Sequence, residues 1–375
     1  MHDVLVVGLG AMGSAVLHHL AARGAKVVGV DRFDPPHALG STHGRSRIIR
    51  EAYFEHPGYV PLVRRAYENW DALEQRSGMH LFARTGGLMI GAPDGELVRG
   101  ASESAMQHDI DVELLSATAI AARFPALAPG TNMVGVLERR AGVLFPEACV
   151  EAHLRLARED GAEVRTSTRV EAIETGSGRV RALTGAGVID AQRVVLAAGP
   201  WTSELLAPLG VALPLRTERQ TMHWLDSDAS DARFAPEQMP VALIEHAPGQ
   251  MFYALPDFGD GVKAAVHHDG DFITIDAIAR EVTESDTRPV LDLAARFIPA
   301  APTRIRDSAV CVYTNTPDQH FVVDTLAAAP QVTLVSACSG HGFKFASAIG
   351  EVVAARLLGE APAFDLPQFS LARFG

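Results

Sequence analysis

Asp3-Val4-Leu5-Val6-Val7-Gly8-Leu9-Gly10-Ala11-Met12-Gly13 is the stretch whose reading decides the fold. Residues 4–7 form a short, apolar, mostly β-branched run suited to a buried parallel strand, and residues 11–23 have helical composition closed by Gly24. A second strand is expected over 26–30, ending at Asp31. Each glycine has a physical task here: Gly8 makes a tight turn, Gly10 lets the backbone approach a pyrophosphate, and Gly13 lets the helix lie against the strand. Asp31 stands where an acid accepts ribose hydroxyls. Strand, glycines, helix, strand and acid in this order point to dinucleotide binding, with a plain βαβ turn as the competing reading. An acid at position 31 argues against NADP and leaves the other dinucleotides open.

The chain has 375 residues and is 47% hydrophobic, enough for two domains or one large discontinuous one. Its formal net charge of -12 speaks against non-specific binding to nucleic acid or an anionic membrane, so an anion site has to be a local basic pocket. No apolar run reaches membrane-spanning length and no signal-type segment opens the sequence, so a cytoplasmic protein is expected. The 3 cysteines, Cys149, Cys311 and Cys338, cannot all pair and lack metal-ligand spacing; neither a structural disulfide nor a metal site is expected. Cys149 and Cys338 read as small buried apolar side chains.

A basic segment follows the proline-rich loop at 33–37. Arg47 and Arg50 are three residues apart, so on a helical turn they share a face and hold one anion between them; a solvated surface turn is the alternative. An amphipathic helix is expected over 59–77, and a change of layer at the strand-like 82–92 marks the start of a second domain. A short helix over 116–124, a strand over 142–145 and a helix opened by Pro146 come next. Segments 164–173, 180–184 and 188–190 read as a small antiparallel set, and 193–201 as a separate buried strand ending in the turn at Gly199. Strands over 214–225, 241–245, 251–255 and 262–267 make a second sheet, followed by a helix over 289–297. On the alternating strand 262–267, Lys263 and His267 share a face, although a satisfied core histidine competes for the latter. Glu245 and His246 read either as polar residues on the approach to a pocket or as a surface turn. Residues 309–318 form a strand entering a turn, and the flexible 339–345 opens a last helix through 358, with Lys344 opposing the helix dipole.

Three motifs are specific: Gly-Ser-x-His-Gly-x-x-Arg-Ile-Ile-Arg at 40–50, Cys-x-Tyr-Thr-x-x-Pro-Asp at 311–318, and Ser-Gly-His-Gly-Phe-Lys-Phe at 339–345. With them the whole chain resembles the monomeric sarcosine oxidase and N-methyltryptophan oxidase family of flavoproteins, within the D-amino acid oxidase superfamily. The resemblance implies FAD, bound covalently through Cys311. It implies that Gly8, Gly10, Ala11, Met12, Gly13, Asp31 and Arg32 hold the pyrophosphate and adenosine side. Ser41, His43, Arg47, Val170, Gly199, Gly340, Gly342, Phe343 and Lys344 would line the rest of the cofactor.

The same resemblance matches Arg50 and Lys344 to the pair that grips a substrate carboxylate, a bidentate guanidinium and a point charge. Lys263 matches the lysine that activates oxygen, by stabilising negative charge as it forms there. His267, Tyr253 and Tyr313 would face the substrate. The fold class implied is α/β: a discontinuous Rossmann-type FAD-binding domain (1–80, 143–215, 318–375) and a substrate domain with a mixed, largely antiparallel β-sheet (81–142, 216–317). The expected activity is oxidation of a secondary or tertiary amino acid with O2, by a monomer whose partners are a small amino acid and oxygen. The alternatives are an FAD-dependent amino acid dehydrogenase that uses a carrier, an NAD-dependent dehydrogenase and a non-catalytic binding protein.

Overall fold

The computed structural model describes every residue except 177, 229 and 375. The first strand, His2–Val7, is buried over its last four residues and enters the Ala11–Ala21 helix through the glycine turn. It pairs in parallel with Val27–Val30 on one side and with Gly187–Leu196 on the other. Glu163–Arg165 and Ala329–Ser336 extend the parallel stack, and Val322–Leu326 closes it in antiparallel pairing.

Gly187–Leu196 corrects the expectation of two separate strands at 188–190 and 193–201. Its first half pairs antiparallel with Arg179–Thr184 and its second half parallel with the first strand, so one ten-residue strand serves two neighbourhoods. The expected strand over 164–173 divides likewise, into Glu163–Arg165 in the parallel stack and Val170–Gly176 in the antiparallel hairpin. Together these strands form an eight-stranded sheet.

A nine-stranded, mixed sheet takes its strands from 87–138 and 216–315. Its longest pairing joins Arg216–Leu225 to Ile305–Asn315 antiparallel, which places Tyr313 directly opposite Glu218. A separate three-stranded sheet joins Arg47–Ile49, Gly142–Leu144 and Phe82–Ala83. Arg47–Ile49 is thus a strand, and the shared helical face expected for Arg47 and Arg50 is not formed: Ile48 and Ile49 satisfy their backbones against Val143 and Gly142.

Helices cover the first sheet. Gly350 in the last helix, Ala346–Leu358, packs so closely on Ala15 that an added Cβ would meet its backbone carbon at 2.7 Å. The Val60–Ser77 helix contributes Val63, Ala66, Trp70 and Leu73 to the same core. Behind the second sheet runs Glu284–Phe297, which begins five residues before the expected start at Pro289. The reason is a capping box: the Thr283 side chain meets the Asp286 backbone N–H while the Asp286 carboxylate accepts the Thr283 N–H, so initiation lies upstream of the proline. Among the described residues no helix is long and apolar enough to cross a membrane.

Candidate active site

A single long cavity runs from the glycine turn to the start of the last helix. At one end Gly8 adopts φ +89°, and a Cβ there would stand 2.5 Å from the Ala197 carbonyl oxygen. At Gly10 an added Cβ would meet only Thr42 Oγ1, at 3.3 Å, so the missing side chain leaves room in the cavity itself. Ala11 and Met12 line the opening of the first helix, where Gly10 offers no capping side chain and the Ala11 N–H donates to Thr42 Oγ1 at 3.3 Å, and its positive end lies at the cavity. Gly13 lies behind the wall, where a Cβ would fall 1.7 Å from the Gly8 carbonyl oxygen; its task is close packing of helix on strand.

Asp31 is buried beside this turn, accepting the N–H groups of Leu9 at 2.7 Å and Phe33 at 2.8 Å. Both bonds fix the carboxylate, and each oxygen keeps acceptor capacity. Arg32 follows it, its guanidinium over the rings of Phe33 and Trp201, and Val170 and Gly199 continue the wall. Buried polar atoms without a partner among the described residues, Ser41 Oγ and Trp201 Nε1, also belong to wall residues. A polar ligand with several acceptors and donors suits such a lining. His43 is buried but stands outside the wall; burial, then Arg47 and Lys263, lowers its pKa to about 3.

In the middle of the cavity Arg47 donates to the carbonyls of Ser46 and Ser41 and comes within 3.7 Å of the Cys311 sulfur. Cys311 is only 2% exposed, yet lines the cavity. All three cysteines are free thiols. Lys263, also buried, donates to the carbonyls of Gly44 at 2.7 Å and Ser46 at 2.9 Å, and burial followed by Arg47 holds it well below the usual lysine range. Nearby, Arg45 pairs with Asp307 and Asp260 and stacks over Trp224.

The far end is cationic. Lys344 Nζ donates to the His341 carbonyl at 2.6 Å, with Tyr53 Oη at 3.4 Å, and burial with Arg50 nearby lowers its pKa to about 7. Arg50 is held by a residue that sequence reasoning missed: Nη2 meets both oxygens of Glu55, at 2.7 and 2.8 Å. Burial pushes Glu55 up, but the guanidinium outweighs it and keeps the carboxyl below its ordinary range. Glu55 is the negative group that offsets the lysine at the helix start. Arg47, held by the carbonyls of Ser46 and Ser41, and Arg50, held by Glu55, therefore have separate partners and do not share an anion.

His267 and Tyr313 face this end together, with Nδ1 and Oη 3.1 Å apart, and Tyr253 completes the wall. The turn at 339–344 closes it: Gly340, at φ +74°, would push a Cβ to 2.7 Å from His267, and a Cβ on Gly342 would reach 1.9 Å from the Ala337 carbonyl oxygen. Phe343 stacks on Trp70 and lines the cavity beside Lys344. Glu245 and His246 do not line it. Glu245 turns inward to accept the Leu97 N–H at the start of the Glu96–His108 helix and the Gly249 N–H. Among the described residues no group of three or more His, Cys, Asp or Glu is placed to hold a metal.

A dinucleotide cradle joined by one cavity to a pocket of buried cations defines an oxidoreductase that uses a bound dinucleotide. The chain belongs to the FAD dependent oxidoreductase (DAO) family, whose model matches residues 3–356. It is similar to monomeric sarcosine oxidase of Streptomyces avermitilis, 41% identical over 357 residues covering 94% of this chain and 92% of that protein. It is also similar to N-methyl-L-tryptophan oxidase of Yersinia pestis, 34% identical over 376 residues covering 100% and 99%. In fold it resembles NikD, an amino acid oxidase, with a TM-score of 0.86 at 22% identity over 98% of this chain and 97% of that one. L-proline dehydrogenase from P. horikoshii gives the same TM-score at 21% identity, covering 100% and 97%.

Proposed function

We propose that this protein is an FAD-dependent oxidase of secondary or tertiary N-methyl amino acids, with sarcosine as the type substrate. The observation that carries the reading is the pair of buried cations, Arg50 and Lys344, in the same cavity as the glycine cradle and Lys263. Gly8, Gly10, Asp31 and the open helix start suit the pyrophosphate and adenosine side of FAD; Arg32, Ser41, Arg47, Val170, Gly199 and the turn at 340–344 suit the remainder. Cys311, whose sulfur is fixed at the wall beside Arg47 and the Ser41 carbonyl, is the residue for covalent attachment. Residues 1–80, 143–215 and 318–375 would then form the FAD-binding domain and the remaining segments the substrate domain.

FAD held there would supply the redox chemistry, accepting the hydride equivalent of the substrate CH–NH unit as it becomes an imine and giving the two electrons to O2. The chain's own residues do the rest. A substrate carboxylate displaces Glu55 as the partner of Arg50 and draws Lys344 into its charged form, since an anion at that spot favours the ammonium. Arg50 and Lys344, already cationic around the substrate, favour the neutral amine over the ammonium, and the neutral amine is the form that yields electrons. His267, half-buried at the cavity wall and held well below the usual histidine range by desolvation and by His268, stays neutral and accepts a hydrogen bond from Tyr313 or the amine. Lys263 stabilises negative charge as it develops on oxygen. The imine leaves and hydrolyses, so that sarcosine, O2 and water give glycine, formaldehyde and H2O2. The test is peroxide release from a panel of N-methyl amino acids: at least one is turned over, and Lys263→Met keeps substrate oxidation while losing most oxygen reactivity. No peroxide from any member overturns the proposal.

A further inference from the structure

Behind the His267–Tyr313 wall lies a buried carboxylate that neither the cofactor nor the substrate reading uses. Glu218 is 3% exposed and sits on the Arg216–Leu225 strand, opposite Tyr313 in the register. Four donors saturate it. Oε1 accepts from Gln220 Nε2 at 2.6 Å and from the Gly270 N–H at 3.2 Å; Oε2 accepts from Asn315 Nδ2 at 2.6 Å and meets His268 Nδ1 at 2.9 Å. A carboxylate has about four lone-pair positions, so this one has no rotational freedom left.

His268 is the partner through which Glu218 reaches the pocket. It follows the Val262–His267 strand in a left-handed conformation, φ +56°, which a side-chain-bearing residue rarely adopts unless its surroundings impose it. Its ring lies 4.3 Å from the His267 ring and 5.2 Å from that of Tyr313, centroid to centroid. Its Nε2 is 2.9 Å from where a Cβ on Gly340 would stand, so the ring also braces the turn that leads to Lys344.

We propose that Glu218 and His268 are positioning residues of the oxidase: Glu218 locks the His268 ring, and that ring fixes the imidazole of His267 and the phenol of Tyr313 in the orientation the substrate meets. This inference rests on the N-methyl amino acid oxidase reading. Neither residue touches the substrate. What they supply is a rigid backing, without which the two polar groups would lose their mutual geometry while the carboxylate site at Arg50 and Lys344 stays intact.

The experiment uses the holoenzyme with Glu218→Gln, His268→Asn and the double variant. Each single variant is expected to lower kcat/KM by about ten- to a hundredfold, while the affinity of a simple carboxylate lacking the amine stays within about twofold of wild type. The double variant is expected to lose no more than the worse single one, because both changes remove one device. Wild-type kcat/KM in either single variant, or losses that multiply in the double, would overturn the proposal. If Glu218→Gln does not fold, His268→Asn alone decides on the same criteria.

A readout independent of turnover is the histidine ring NMR spectrum of 15N-histidine-labelled protein, with the His267 signal assigned by its loss in His267→Asn. That signal is expected to shift or broaden in both single variants, and an unmoved signal would overturn the proposal. Should the wild type oxidise no N-methyl amino acid, the oxidase reading fails while the NMR result still judges whether Glu218 holds His267.

Discussion

At Lys344 the pocket makes its most specific statement about pH. Its folded pKa of about 7 lies below the ordinary lysine value of 10.5, so the native state binds fewer protons than the unfolded chain between those limits. Two consequences have definite signs: this residue's contribution to stability rises from pH 7 to about 10.5, and the affinity for a simple carboxylate falls as pH rises through 7. A titration of that affinity should show a decline of roughly tenfold across this step, the worth of one charge-assisted hydrogen bond, and Lys344→Met should flatten it. A second prediction concerns Cys311. Acid precipitation of the wild type should give a yellow pellet, and Cys311→Ser a colourless pellet with yellow supernatant; a colourless wild-type pellet removes the covalent role. At this scale the motifs carried Lys344 and Cys311 in the sequence itself, and the alternating strand over 262–267 with the family resemblance carried Lys263. Glu55, Glu218 and His268 were not legible, because each acts through partners set by packing: Glu218 finds Asn315 and His268 across two strand pairings, far along the chain.

Among the elements, the turn at 339–344 depends on its neighbours more than on its own composition. Trp70, 1% exposed on the Val60–Ser77 helix, donates its indole N–H to the Lys344 carbonyl at 2.9 Å. Trp70→Phe keeps most of the apolar contact but leaves that carbonyl without its donor. Thermal unfolding should report a loss of about 1–3 kcal/mol, and an unchanged melting temperature would show the bond to be dispensable. Periodicity gave the positions of most of the long helices, Glu96–His108 excepted, and most of the nine-stranded sheet. It misread Arg47–Ile49, since two arginines at helical spacing fit a strand equally well when the segment is three residues long and its partner, Gly142–Leu144, is nearly a hundred residues away. Near Pro289 the proline was read as a helix start, although a capping box six residues earlier already supplied one.

For the molecule as a whole, the cavity is assembled from segments spread over nearly the entire chain, from Val7 to Lys344. Its dinucleotide end follows local rules, since strand, glycines and helix are adjacent in sequence, and that end could be read without any tertiary knowledge. Its other end requires the two large sheets to meet, which brings the Arg47–Arg50 segment, Lys263, Tyr313 and Lys344 to one space. Patterning alone does not encode that juxtaposition; the three specific motifs and the family membership did. The most direct measurement is therefore an anaerobic one: add an N-methyl amino acid such as sarcosine to the purified yellow protein in the absence of oxygen, record the visible spectrum, then admit air. An FAD-dependent oxidase of this class will lose its yellow colour with at least one N-methyl amino acid and regain it in air with release of one equivalent of peroxide. A spectrum that no N-methyl amino acid changes, or a colour that stays bleached in air until an electron carrier is supplied, would contradict it.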